Sequence, residues 1–352
     1  MSAPPSSTLE FPFAQPPAAG EFIDVGNGIR WIRMPLPFAL DHINLWLLDG
    51  AQATTLVDSG YGDPRTRALW ERHFATTLDR RSVDRIIVTH CHPDHVGNAS
   101  WLAARFAAPV LMTHAEFMAT HALAHGHSGY GPEGIIALFR RHGLAGEPLA
   151  ELAARGNHYR HGVPDVPASF TRLLDGHELA AGPARWRIIE GHGHSPEHAS
   201  LYSRDLAMLI SGDMLLPKIS TNISVWAVEP DADPLGNFLA SLSAFQTLPA
   251  GTLVLPSHGL PFRGIGERVA QLVAHHAARL DELVSAARAA TGPVSAADLV
   301  PVLFRRELDA QQLFFAMGEA IAHLNHLWHA GRMTRNIDAG GAIRFAHNVQ
   351  TR

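Results

Sequence analysis

The 352-residue sequence predicts an α+β fold followed by a helical C-terminal domain, on three observations. Short apolar runs recur between about residues 21 and 265, with helical stretches between some of them. Several runs follow one another too closely for a crossover helix, so the strands are not all parallel. From about residue 266 the pattern turns helical, with apolar residues at helix spacing in "RVAQLVAHHAARLDELVSAARAA".

In chain order, residues 1–20 are rich in Pro, Ala and Ser and read as a flexible N-terminal arm, either poorly ordered or laid on the surface. "IRWIRM", "NLWLLD" and "TTLVD" read as strands, "RTRALWERHF" as a helix, "DRIIVTH" as a strand, "NASWLAARF" as a helix and "PVLMTH" as a strand. Residues 115–182 break this rhythm with many His, Gly and Pro and short helical pieces such as "GIIALFRRHGL". They are expected to form a lid-like insertion in a domain spanning 21–265. Strands resume at "ARWRIIEG", "ASLYS", "LAMLISGD" and "TLVLPSHG", with a helix near Leu235–Phe245. Within 266–352, Pro293 punctuates the first helix and "SAAD" (Ser295–Asp298) offers a cap for the second. "AQQLFFAMGEAIAHLNHLWHAG" is a third helix stopped at Gly331. "RMTRNI", "DAGG" and "AIRFA" then give strand, turn and strand, so the order is that of a winged helix.

The chain is 46% hydrophobic and 17% charged, with a net charge of −5, which describes a globular protein with a sizeable core and not a polyanion binder. A single cysteine, Cys91, excludes a disulfide framework and a four-cysteine zinc site. The N-terminus has no signal-peptide pattern and no apolar run spans a membrane, so a cytoplasmic location is expected.

The chemistry concentrates in "VTHCHPDHVGN", where His90, His92, Asp94 and His95 fall directly after an apolar run. His90 and His92 are two apart, so an extended loop points both rings to one side. Pro93 suits a first helical turn, which aims Asp94 and His95 elsewhere. Two metals are the simpler arrangement, and imidazole and carboxylate donors favour Zn2+, with iron or manganese as alternatives. Asp58, His90, His194, Asp213 and His258 each follow the end of an apolar strand. Loops at one sheet end converge, so these five positions point to one site.

These motifs resemble the metallo-β-lactamase-fold hydrolases. "HCHPDH", "GHSPEH", "SGDML" and "PSHG" match the family's motifs, in order, over roughly residues 25–265. The resemblance implies an αβ/βα sandwich with metals at one edge. It also implies that His90, His92 and His194 hold one ion, that Asp94, His95 and His258 hold a second, and that Asp213 bridges them. Asp58 matches an aspartate that supports a ligand histidine. His198 either lines the site without binding metal or makes a structural hydrogen bond.

Cys91, between two ligands, is expected to pack away from them, and His192 to be a neighbour and not a ligand. Lys218 is the only lysine, five residues after Asp213. In such a fold it can hold a substrate carboxylate or phosphate, or simply face solvent. "GYGPEG" (Gly129–Gly134) contains Pro132 and follows no strand, so it is not a nucleotide loop. The histidines from His114 to His177 are expected to be mostly exposed, with one or two reaching the pocket.

Two metals about 3.5–4 Å apart can share a hydroxide that attacks an acyl or phosphoryl centre, with Asp94 orienting it. The expected activity is hydrolysis of an ester-like bond (thioester, lactone or β-lactam) in a small molecule. The sandwich with a C-terminal winged helix is similar to a branch with glyoxalase II-like and endoribonuclease-like members. The alternative is therefore cleavage of single-stranded RNA. Residues 268–352 carry nine arginines against seven acidic residues, thin for phosphate binding. Non-hydrolytic iron members are disfavoured because all second-metal ligands are present, and a binding module because the ligand set is complete. The C-terminal domain is expected to border the active-site rim or to form a homodimer contact.

Overall fold

The computed structural model describes residues 9–79 and 81–348. Two sheets pack face to face with helices on both outer faces, which is the αβ/βα sandwich. The first sheet runs in sequence order: β1 (Ile23–Gly26), β2 (Ile29–Pro35), β3 (His42–Asp49), β4 (Ala53–Val57), β5 (Ser82–Ile87), β6 (Val110–Met112) and β7 (Thr171–Arg172). It is antiparallel from β1 to β4 and parallel from β4 to β7. Asn27 and Gly28, both at positive φ (55° and 72°), make the two-residue hairpin between β1 and β2.

The second sheet has the order β12-β11-β10-β9-β8. Its strands are β8 (Glu178–Ala181), β9 (Ala184–Gly191), β10 (His198–Ser203), β11 (Met208–Gly212) and β12 (Leu253–Pro256). Only the β11–β12 pair is parallel. Trp31, Trp46, Trp186 and Leu201 fill the space between the sheets, with Trp31 stacked on Trp46 at 5.9 Å.

On the first sheet's outer face lie α1 (Pro64–Ala75), the single turn α2 (Pro93–Val96) and α3 (Ala99–Phe106). Trp70 and Leu102 share one core with Ile43 and Leu45. Asp63 starts α1 by accepting from the Thr66 amide at 2.7 Å, ahead of Pro64.

The segment 115–182 is more regular than its sequence suggests. It holds α4 (His114–His125), α5 (Pro132–Arg141), α6 (Gly146–Ala154) and α7 (Tyr159–Gly162), then β7 and β8. Its last part is therefore sheet edge and not cover. β7 and β8 are two and four residues long, too short for a readable period. Ile135, Leu138 and Phe139 of α5 join the same core as α8 (Pro234–Gln246), which covers the second sheet.

That core continues into α9 (Ile265–Ala289), α10 (Ala296–Leu303) and α11 (Ala310–His329), followed by the hairpin β13 (Met333–Ile337) and β14 (Ile343–His347). Ser295 and Asp298 form a reciprocal capping box on α10, and Gly331 follows α11 at φ 68°. Of the N-terminal arm, residues 1–8 lie outside the described residues. Beyond them Glu10 pairs with Arg263, and Phe13 meets Trp31 edge-on, so this stretch is fastened to the sandwich. No helix among the described residues is long and apolar enough to cross a membrane.

Candidate metal centre

Five strand ends meet at one edge of the sandwich. β4 delivers Asp58, β5 delivers His90, β9 delivers His194, β11 delivers Asp213 and β12 delivers His258. The extended loop after β5 carries His90 and His92. Pro93 then opens α2, whose first turn carries Asp94 and His95.

The ligand-type atoms fall into two groups, each with members within 4.8 Å of one another: His90, His92, His194 and Asp213, and Asp94, His95 and His258. Asp213 faces both. Its Oδ2 lies 3.2 Å from His194 Nε2, while its Oδ1 lies 3.5 Å from His95 Nε2 and 3.4 Å from His258 Nε2. Asp94 Oδ2 stands 3.4 Å from His258 Nε2 and 3.7 Å from His95 Nε2.

Outer hydrogen bonds set which nitrogen faces inward. His194 Nδ1 donates to the Asn222 carbonyl at 2.8 Å, and His258 Nδ1 to the His42 carbonyl at 2.7 Å. His95 Nδ1 meets Asp58 Oδ2 at 2.8 Å. Asp58, at φ 63°, also accepts the Thr89 amide at 2.8 Å and the Thr89 hydroxyl at 3.0 Å. It therefore holds His95 from outside the two groups.

Two observations show that these residues suit a bound metal. The Nε2 atoms of His90 and His194 face each other at 3.2 Å. The Nδ1 of His194 carries its proton, and that of His90 lies 3.0 Å from the Thr89 hydroxyl. His92 Nδ1 stands 2.9 Å from the same His90 Nε2, so three imidazole nitrogens converge, an arrangement that suits a cation among them. His95 Nε2 is fully buried without a hydrogen-bond partner, among the carboxylates of Asp94 and Asp213.

Electrostatics divide the groups in the same way. Burial, then the neighbouring His95 and His92, holds His90 well below the usual histidine range, and burial takes His92 down to about 3. Both are neutral donors at pH 7. Burial also opposes charge on His95 and His258, but the carboxylates around them prevail and raise both. Burial works against the Asp213 carboxylate too, and His258 and His95 outweigh it, leaving it well below the usual range.

His198 is fully buried, and its Nε2 accepts the Asp213 amide at 3.1 Å, so it positions Asp213. Gly212 (φ 51°) permits this, because a Cβ there would come within 2.3 Å of His198 Nε2. Cys91 packs with Ala119 and Leu123, away from the ligands. His192 Nδ1 meets the Pro196 carbonyl at 2.8 Å and lies outside both groups.

Beside His92 and His194 opens a cavity of about 130 Å³ lined by Ala119 and Leu123 of α4 and by Tyr130, Val225, Trp226 and Glu229, among others. Lys218 is exposed and does not line it. Met214, Leu215 and Leu216 are buried just before it, and the chain emerges after Pro217. None of the histidines from His114 to His177 lines the cavity either. They are mostly exposed, except the fully buried His142 and the partly buried His121.

The sequence did not reveal Glu116, on the first turn of α4. It is fully buried and accepts from Cys91 N at 2.8 Å, Ser195 Oγ at 2.6 Å and Glu197 N at 2.7 Å.

Comparison with known proteins bears on the family and the fold. The family described as "Metallo-beta-lactamase superfamily" matches residues 39–258, and "Metallo-beta-lactamase-like, C-terminal domain" matches residues 280–348. A beta-lactamase domain protein from Burkholderia ambifaria is 46% identical, with 96% of this chain and 98% of that one covered and a TM-score of 0.89. A metallo-beta-lactamase family protein from Thermus thermophilus is 30% identical over 92% of this chain and 100% of that one, with a TM-score of 0.76. A probable metallo-hydrolase of Bacillus subtilis is 23% identical, covering 84% of this chain and 91% of its own. A bovine protein named as an acyl-coenzyme A thioesterase is 25% identical, covering 54% of this chain and 64% of its own.

Proposed function

The chain belongs to the metallo-β-lactamase superfamily and is a metal-dependent hydrolase, and we propose that it cleaves an ester-like acyl bond of a small molecule at a centre of two metal ions. The observation that carries this reading is the division of the ligand atoms around Asp213, whose two oxygens face different groups. His90, His92 and His194 would hold one ion and Asp94, His95 and His258 the other, with Asp213 shared. Nitrogen and carboxylate donors without thiolate favour zinc, with iron or manganese as alternatives.

When bound, such ions acidify water to a nucleophile at neutral pH and offset negative charge that develops on the attacked oxygen. The chain's own part is to hold that geometry. Asp58, Asn222 and the His42 carbonyl keep the imidazoles turned inward. Asp94, partly exposed beside His95 and His258, would orient a water by a hydrogen bond. Neither Cys91 nor Ser195 serves as nucleophile. Burial, then Glu116, pushes the Cys91 thiol well up, and the Ser195 hydroxyl is committed to Glu116.

An acyl substrate is favoured over RNA because, among the described residues, no lysine or arginine lines the cavity. The bovine relative's name agrees with a thioester. We read the C-terminal helices and hairpin as a winged-helix-like module that backs the pocket, since Phe314 lies 6.4 Å from Trp226.

The test is metal analysis of metal-replete protein, followed by assay against thioesters, lactones, β-lactams and single-stranded RNA. Two ions per chain with acyl turnover lost on chelation is the expected result. One ion or none, or turnover confined to RNA, refutes the reading.

A further inference from the structure

The cavity beside the metal centre has a chemical character that its position alone does not dictate. Its apolar lining comes from Ala119, Leu123, Tyr130, Val225, Trp226 and Val228, while Ser195, Ser224 and Asn237 add uncharged polar groups. Cys91, Ala119 and Leu123 form a separate apolar cluster, with Tyr130, Tyr159 and Trp226 packed on it. Trp226 is braced between Tyr130 at 6.1 Å and Phe314 at 6.4 Å, so the wall is supported from behind. Besides three histidines, Cys91 and Tyr130, the only ionisable lining residue is Glu229, which is exposed at the mouth. Burial, then Cys91, Glu116 and Glu229, raises the Tyr130 phenol to about 12, so Glu229 is close enough for its charge to be felt there.

A volume of about 130 Å³ suits a branched alkyl or phenyl group, since an apolar cavity of about 150 Å³ holds benzene. An anionic group here would lose its hydration, gain no cationic partner and meet the Glu229 carboxylate. Asp58, Asp94 and Asp213 would offset much of the charge of any ions bound at the neighbouring groups.

Resting on the acyl-hydrolase reading, we propose that this cavity is the acyl subsite and selects an uncharged, apolar acyl group against a carboxylate-bearing one.

The test uses the metal-loaded full chain and two thioesters of one neutral thiol, 4-methylpentanoyl and succinyl, which differ by an isopropyl group against a carboxylate. The 4-methylpentanoyl ester is expected to have a kcat/KM at least about 30-fold higher, the cost of an unpaired charge in an apolar site. Glu229→Gln and Val228→Arg, both at exposed positions, should raise succinyl turnover and narrow the ratio. Equal turnover of the two esters overturns the proposal, as does a ratio that neither variant moves. If neither ester is cleaved, the acyl-hydrolase reading fails and the subsite is judged by binding. Ligand-observed NMR should then detect 5-methylhexan-2-one but not levulinate, its carboxylate counterpart. Levulinate binding as well as the neutral ketone, or neither ligand binding, counts against the subsite.

Discussion

Glu116 accepts the hydroxyl of Ser195 at 2.6 Å, a bond between the first turn of α4 and the residue directly after His194. The same oxygen takes the Glu197 amide, while the other takes the amide of Cys91, between His90 and His92. One buried carboxylate thus fastens both loops that supply the first ligand group. Burial raises its pKa, and the donors it satisfies pull the other way.

Glu116→Gln keeps the size of the side chain but offers one acceptor oxygen. In either orientation its amide group faces a backbone N–H, at Cys91 or at Glu197. Affinity for metal at the first group is expected to fall about 10- to 100-fold, the usual cost of losing a group that orients ligands. Chelator competition measures it, and unchanged near-ultraviolet circular dichroism shows that the fold persists. Normal metal affinity in Glu116→Gln would reduce this carboxylate to packing.

Asp58→Asn probes the other group. Asn tolerates the left-handed backbone that Asp58 adopts at φ 63°, so the change isolates the carboxylate. The asparagine's one acceptor oxygen can serve either the Thr89 amide or His95 Nδ1, and in both orientations His95 loses the negative charge beside it. The second metal should leave first, taking content from two ions toward one per chain while the first group stays loaded. Loss of both ions together would mean that the groups are not separable.

Part of the candidate site was legible in the sequence, because five of its residues follow strand ends and Pro93 turns the chain between the two pairs in "HCHPDH"; the allotment of His194, His258 and Asp213 to groups came from the family resemblance. Glu116 was not legible. Two residues after His114, it reads as an ordinary acid in a first helical turn. Its burial depends on three loops that only the fold brings together. Lys218 could not be decided between substrate and solvent from the sequence, since five residues of spacing from Asp213 say nothing of a chain that turns outward after Pro217 and exposes it. The strands at the end of 115–182 escaped because alternation needs more than the four residues of β8.

His142 gives a pH test of stability. It is fully buried, both ring nitrogens lack partners, and it stacks on Phe345 at 6.1 Å. Burial, with Arg335 and Arg141 nearby, lowers its pKa to about 3. The unfolded chain binds this proton below its ordinary value of 6.5, whereas the folded chain does not. Stability is therefore lost as pH falls from about 6.5 toward 3, by about 2 kcal/mol at pH 5 from this group alone. His142→Leu should raise unfolding free energy by about 1–2 kcal/mol at pH 7, and by more at pH 5. Denaturant titrations at both pH values check this. A gain that does not grow at pH 5 would show that the histidine's proton is not linked to unfolding.

The last expectation separates a small substrate from RNA. Affinity for a phosphate chain follows the number of cations free to neutralise it, and the salt slope counts them. In the C-terminal region Arg279 and Arg305 lie within 4 Å of Glu282, Arg332 of Asp281, Arg335 of Asp231, and Arg344 of Asp298 and Asp338. Arg268 is spent on the carbonyls of Leu216 and Ile219. Most of this region's positive charge is thus neutralised or used internally. A 20-nucleotide single strand should bind weakly at 150 mM salt, with a shallow dependence of log Kd on log salt, on the order of one or two released ions. Acyl turnover should change little over the same range. Fluorescence anisotropy across a salt series decides it. Tight binding with a slope of five or more would show that the arginines are free in solution, and would bring the nuclease reading forward.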